Sequence, residues 1–125
     1  MDENQISNKI IGVAIELHKV LGPGLLESVY EKTFSYELQN AGLKIRNQVP
    51  VPLVYKGIHM EAGFKLDILV EEKVIIELKA VEALAPVHYS QLLTYLRITK
   101  LKLGLLINFN VHMMKEGIHR LVNNL

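Results

Sequence analysis

The sequence predicts an α/β fold (mixed α+β): a central mixed β-sheet flanked by helices, in the order α-α-β-β-β-α-β-(β). Three observations predict it. Apolar residues in the first forty positions recur at steps of three and four, the spacing of helices. From Lys44 the apolar period shortens to two, the spacing of half-buried strands. A proline-opened helical stretch follows, and after it comes a continuous apolar run, Leu101 to Phe109.

The first helix is expected from Glu3 to Leu21. Ile6, Ile10, Val13, Leu17 and Val20 make one stripe, Asp2 with Gln5 resembles a capping box, and Gly22-Pro23 ends it. Gly24 is expected as N-cap of a second helix, Leu25 to Ala41, closed by Gly42, with Leu26, Val29 or Tyr30, Thr33, Phe34 and Leu38 inward. Ile45 to Tyr55 reads as extended, and Pro50 and Pro52 ask for an edge position or a bulge. Lys56-Gly57 is a turn, and Met60 to Val70 alternates as a strand. Glu71-Glu72-Lys73 turns into a third strand, Val74 to Ala80. Pro86 opens a helix that runs to about Thr99. Leu101 to Phe109 is expected as a central strand covered on both faces, and Gly117 to Val122 as a short strand or a last helical turn.

Composition narrows the function. The 125 residues suit one domain spanning 1–125 with its own core. Cysteine is absent, which excludes disulfide frameworks, thiol catalysis and cysteine-based metal sites. The longest apolar runs are far shorter than the ~18 residues that span a bilayer, and Met1-Asp2-Glu3-Asn4 is unlike a signal peptide. A soluble cytoplasmic protein with no membrane partner is expected. Net charge is only +1, unlike a strong non-specific nucleic-acid binder, but residues 1–43 carry −3 and residues 44–125 carry +4.

The chemistry concentrates in three places. On a strand, Glu77 and Lys79 share a face, opposite Val74, Ile76 and Leu78. A carboxylate beside an ammonium can hold a hard cation and steady a water or the charge developing on phosphate. A three-residue loop, Glu71 to Lys73, or a bulge would bring Asp67 onto the face of Glu77, whereas a two-residue loop would put them on opposite faces, and the former is expected. The plain alternative is an exposed hairpin with cross-strand ion pairs. On the helix after Pro86, Gln91 and Tyr95 stand four apart with His88 one turn earlier, amid leucines. The third place is Gly22-Pro23-Gly24-Leu25-Leu26-Glu27-Ser28-Val29-Tyr30, where Glu27 sits in a first helical turn. The five histidines lack zinc-motif spacing, His18 included.

In combination, Gly24-x-x-Glu27-x-x-Tyr30, Asp67, Glu77-x-Lys79 and Gln91-x-x-x-Tyr95 resemble the GxxExxY proteins of the PD-(D/E)XK nuclease superfamily, in its RecB-like branch with a QxxxY helix. The resemblance runs from Glu16-Leu17-His18 to Leu106-Ile107-Asn108, with Leu66 in place of the proline of the family label. It implies a restriction-endonuclease-like core. It implies that Glu27, Asp67 and Glu77, with the Leu78 carbonyl, hold Mg²⁺ or Mn²⁺. Lys79, Glu77 and Asp67 would be catalytic, and Gln91, Tyr95, Tyr30, His18 and His88 would bind substrate or support the site. The expected activity is hydrolysis of DNA phosphodiesters by a metal-activated water. The alternative is a catalytically silent nucleic-acid- or protein-binding module on the same fold. The small size also leads us to expect a homodimer, since two subunits clamp a duplex better than one.

Overall fold

The computed structural model describes residues 1–60 and 63–125. Helix α1 (Glu3–Leu21) starts where Gln5 N–H donates to Asp2 Oδ1 (2.8 Å) and Asp2 N–H donates to Gln5 Oε1 (2.9 Å). This is the reciprocal capping box read from the sequence. Ile6, Ile10, Ala14 and Leu17 face inward, while Val20 at the end of the stripe is 82% exposed.

Helix α2 (Glu27–Asn40) begins later than expected: Leu26, not Gly24, is its N-cap, with no side-chain cap. The reason is Tyr30. Its hydroxyl donates to Gly22 O (2.5 Å) and accepts from Leu25 N–H (3.2 Å), which holds residues 22–25 beside the first turn rather than within it. Of the alternatives Val29 and Tyr30, Tyr30 is the buried one, with Phe34 and Leu38. Leu26 and Val29 stay exposed.

Five strands form the main sheet in the order β1 (Ile45–Pro50), β4 (Lys65–Val70), β5 (Val74–Lys79), β6 (Leu103–Asn108), β7 (Ile118–Val122). Between β1 and β4 the chain makes β2 (Leu53–Tyr55) and β3 (Ile58–Met60), a separate two-stranded ribbon across the Lys56-Gly57 turn. Strands β5 and β6 are parallel and joined through helix α3 (Pro86–Thr99), while the other pairs in this sheet are antiparallel, so the sheet is mixed. The proline-bearing β1 is an edge strand, where a missing N–H costs no ladder bond.

The sequence order undercounts the strands before α3: three were expected and five are present among the described residues. The segments Ile45–Tyr55 and Met60–Val70 are each split between the sheet and the ribbon. Register explains why. Pro50 pairs with Lys65 and Leu53 with Met60, so two residues on one side answer four on the other and no continuous ladder fits. Glu61 and Ala62 of the expected alternation lie outside the described residues.

Helices α1 and α2 cover one face of the sheet, over Ile68, Val70, Ile76, Leu78, Leu105 and Ile107. Helix α3 covers the other, with Leu92, Tyr95 and Leu96 on Leu69, Ile75 and Leu106. All six residues of β6 are buried, as a central strand requires. Of the two alternatives for Gly117 to Val122, the strand is the one that forms, as β7, and a 3₁₀ turn (Met114–Gly117) precedes it. No helix among the described residues is long and apolar enough to cross a membrane.

Two glycines test this packing with opposite signs. A Cβ at Gly117 would lie 2.1 Å from the Asn108 carbonyl oxygen, whereas one at Gly12, inside α1, would meet nothing within 4 Å. Gly117→Ala is expected to destabilise the fold by about 2 kcal/mol or more. Gly12→Ala should stabilise it by roughly 0.5–1 kcal/mol. Urea unfolding of the two variants checks both, and an unmoved midpoint for Gly117→Ala would contradict the close approach.

Candidate active site

The site forms where the sheet opens. The loop between β4 and β5 has three residues: Val70 pairs with Val74, and Ile68 with Ile76. Glu71 and Glu72 both take positive φ (53° and 55°), and Lys73 N–H closes the turn on Val70 O at 3.0 Å. This register puts Asp67 level with Glu77, on the face toward α3, as the three-residue loop requires. The ladder itself stops at Ile68 and Ile76, although β4 continues against β1 and β5 against β6. In the gap, Asp67 Oδ2 accepts the Leu78 N–H at 2.8 Å, a bond that a strand carbonyl would otherwise take. In a strand a residue's N–H and C=O leave on the same edge, so the Leu78 carbonyl also points toward this gap.

Lys79 is held by its backbone. Its carbonyl accepts from Phe109 N–H at 2.9 Å, and Asn108 next door clamps Val81, donating to Val81 O (2.9 Å) and accepting from Val81 N–H (3.1 Å). Glu27 arrives from the other side, at the first position of α2.

The acids are coupled. Burial pushes the Glu77 carboxyl up to about 8; the Asp67 charge adds to this, and Lys79 and a bond from the Asp67 backbone oppose it. Burial also raises Asp67, against the Leu78 N–H, Gln48 and Lys79. Glu27 is raised by burial first, with Lys79 lowering it and Asp67 raising it. Helix α3 closes the site: the Tyr95 phenol is raised by burial and then by the charges of Glu77 and Asp67, while its hydrogen bond with Gln91 lowers it.

Among the described residues, Glu77 Oε1 is the one buried side-chain oxygen or nitrogen without a hydrogen-bond partner. A bare carboxylate oxygen, three carboxyls and one ammonium together suit a divalent cation of the hard, oxygen-seeking kind. The carboxyls feel one another's charge without converging: no three Asp, Glu, His or Cys side chains among the described residues stand together at metal-holding distances.

Three of the sequence candidates are engaged in backbone bonds. His18 Nε2–H donates to Phe109 O at 3.1 Å. The Tyr30 hydroxyl holds Gly22 and Leu25, and its ring stacks on Phe109 with centroids 4.6 Å apart. His88 Nδ1 accepts from Ala85 N–H at 3.0 Å, at the start of α3. These bonds fix the loop and helix ends from which the site projects.

Two residues were missed. Glu31, one helical turn after Glu27, accepts from Gln48 Nε2 (2.7 Å) and adds to the field on Glu27. Its spacing of four from Glu27 was the available signal. Gln48 also reaches Asp67 Oδ1 (3.4 Å) and has a φ of 50°, which no propensity would have marked.

The model of the PD-(D/E)XK nuclease superfamily matches residues 4–121, and the chain belongs to that superfamily. Its mixed sheet flanked by helices is the restriction-endonuclease-like fold. No curated protein matches the chain, and no solved structure does.

Glu77 predicts a pH dependence. Its carboxyl ionises near 4.5 in the unfolded chain and about 8 in the folded one, so the folded chain holds the extra proton between those values. Without divalent metal, stability should therefore fall as pH rises through that window and level off above it, by on the order of a few kcal/mol. Glu77→Gln should flatten the curve and be the more stable protein at the alkaline end. Denaturant unfolding in EDTA from about pH 5 to about pH 9 measures this. Stability that climbs with pH in the parent protein would refute the assignment.

Proposed function

From its place in the PD-(D/E)XK superfamily, we propose that the chain is a divalent-metal-dependent DNA phosphodiesterase of the GxxExxY type, with Gln91-x-x-x-Tyr95 as the QxxxY helix. The observation that carries this reading is the bare, buried Glu77 Oε1 inside a cluster of three carboxyls and one ammonium. Nothing in the described fold explains such an oxygen on structural grounds, since burying it unpaired costs stability.

Glu27, Asp67 and Glu77, with the Leu78 carbonyl, would hold Mg²⁺ or Mn²⁺. When bound, the ion supplies positive charge that polarises the phosphodiester and lowers the pKa of water. The chain's own groups do the rest. Burial keeps the Glu77 carboxyl neutral without a cation, and a bound cation's charge would favour its ionised form. Lys79 orients the attacking water and stabilises the negative charge that builds on the phosphoryl oxygens. Asp67, fixed through Leu78 N–H and reached at its other oxygen by Gln48, would be one of the carboxylates that hold the ion. Gln91, exposed on α3, meets the DNA backbone, and Tyr95, buried beside it, supports the site. His18, Tyr30 and His88 support the site through the backbone bonds already described.

Under this reading residues 1–125 are one nuclease domain that acts in the cytoplasm and pairs as a homodimer to grip a duplex. A second reading, a silent binding module on the same fold, draws on the carboxyls that do not converge among the described residues. Calorimetry separates the two. The nuclease binds Mn²⁺ and loses that affinity in Asp67→Ala, whereas the module binds DNA and no metal.

Cleavage of plasmid and single-stranded DNA with Mg²⁺ or Mn²⁺ is the direct test. Asp67→Ala and Lys79→Ala are each expected to slow it by about 100-fold or more, with circular dichroism unchanged. Activity undiminished in both variants would overturn the proposal.

A further inference from the structure

A cavity of about 360 Å³ opens beside the C-terminal end of α1, outside the acid cluster. Lys19, Lys115, His112 and His18 line it, and no described acidic residue does. Its apolar surface comes from Ile15, Pro23 and Met113. The cavity and the acid cluster are linked through the backbone. His18 is bonded to Phe109, and Phe109 N–H is bonded to the carbonyl of Lys79. Gly22 and Pro23 on the cavity rim lead directly through Gly24 to Glu27.

We propose that this cavity holds one phosphate and the adjoining nucleoside of the DNA strand whose scissile bond lies at the acid cluster. This rests on the nuclease reading and extends it. The charge asymmetry favours it. A cluster rich in carboxyls repels a phosphodiester chain on either side of the bound ion. A neighbouring pocket lined by Lys19 and Lys115, with no described carboxylate in its wall, gives the strand a favourable exit. The α1 C-terminus brings roughly half a negative charge to the same place, but its His18 carbonyl is already taken by Gly22 N–H at 2.8 Å. Two lysines outweigh that remainder. Lys19 also pairs with Glu16 at 3.0 Å, an exposed contact worth below ~1 kcal/mol, which a phosphate can displace. Met113 is 54% exposed, and an unbranched thioether side chain can pack against any of the four bases. The pocket therefore takes DNA without sequence preference.

The test uses the full chain in EDTA, with a fluorescein-labelled single-stranded oligonucleotide read by anisotropy across a salt series. The double variant Lys19→Glu with Lys115→Glu is expected to weaken binding at least tenfold and to make the salt dependence shallower by about one phosphate contact. Met113→Ala should weaken binding and leave the salt slope unchanged. Lys102→Glu, an exposed lysine elsewhere, should change neither measurably. Equal losses in Lys102→Glu and the double variant would reduce the effect to general charge and overturn the site. So would competition by inorganic phosphate as strong as that by unlabelled oligonucleotide, which would make it an anion site only. Normal metal-dependent cleavage together with unchanged binding in the double variant would overturn this inference and leave the nuclease standing. If the parent protein neither cleaves nor binds, the nuclease reading fails with it.

Discussion

The site depends on one interruption of the sheet. If the β4–β5 ladder ran past Ile68 and Ile76, Asp67 and Glu77 would stand directly opposite each other on one face, a like-charge pair in a buried position. The strands part instead, and the Asp67 carboxylate takes the Leu78 N–H that the ladder leaves free. The disturbance reaches the edge strand. Pairing between β1 and β4 skips Gln48 opposite Asp67, and Gln48 takes a φ of 50°, strained for a residue with a side chain. Packing follows the same break, since Ile45 packs with the α1–α2 side of the sheet and Val49 with the α3 side. A three-strand distortion at one level opens a gap whose lining is polar, while both faces around it remain apolar.

Burial then decides the electrostatics. For Glu77, Asp67 and Glu27 alike, desolvation is the largest influence and outweighs Lys79. One ammonium cannot neutralise three carboxyls, so the cheapest state without a cation keeps Glu77 protonated. Even then its Oε1 finds no partner among the described residues. The cost is carried by the rest of the fold, which buries Phe34, Phe109, Ile6, Ile10 and Leu38 completely. Sites that store such a cost are commonly the ones where binding recovers it.

Much of this was legible in the sequence, for identifiable reasons. The bounds of α1 and α3 followed from strong local signals, the Asp2–Gln5 box and Pro86. The shared face of Asp67, Glu77 and Lys79 followed from strand parity on the condition of a three-residue loop, which the observed register supplies. What failed was not local. Gly24 looked like an N-cap because glycine and a downstream glutamate suit a helix start, yet Tyr30 reaching back to Gly22 moved the start to Glu27. The break between Pro50 and Leu53 depends on a mismatch with a partner strand, which alternation in a single segment does not record. Gln48 was invisible because its role comes from what lies across the sheet from it.

The Gly24-x-x-Glu27-x-x-Tyr30 pattern has a mechanical reading on these terms. Gly24 takes a φ of 98°, a conformation that disfavours any side chain, and its N–H donates to Asn110 Oδ1 at 3.1 Å. Tyr30, three residues after Glu27, turns inward to stack on Phe109 while its hydroxyl ties Gly22 and Leu25. The end of α1, the start of α2 and the end of β6 are thereby locked to one another. Glu27 stands at the start of α2, where the helix dipole favours a negative charge, and still its pKa is raised. Partial desolvation, with the charges of Asp67 and Glu31, wins over the dipole although Glu27 stays exposed. A carboxylate placed there against both its own solvation and its neighbour's charge is costly unless something positive completes the cluster. That is why the loop geometry and the clustered acids argue for the same function.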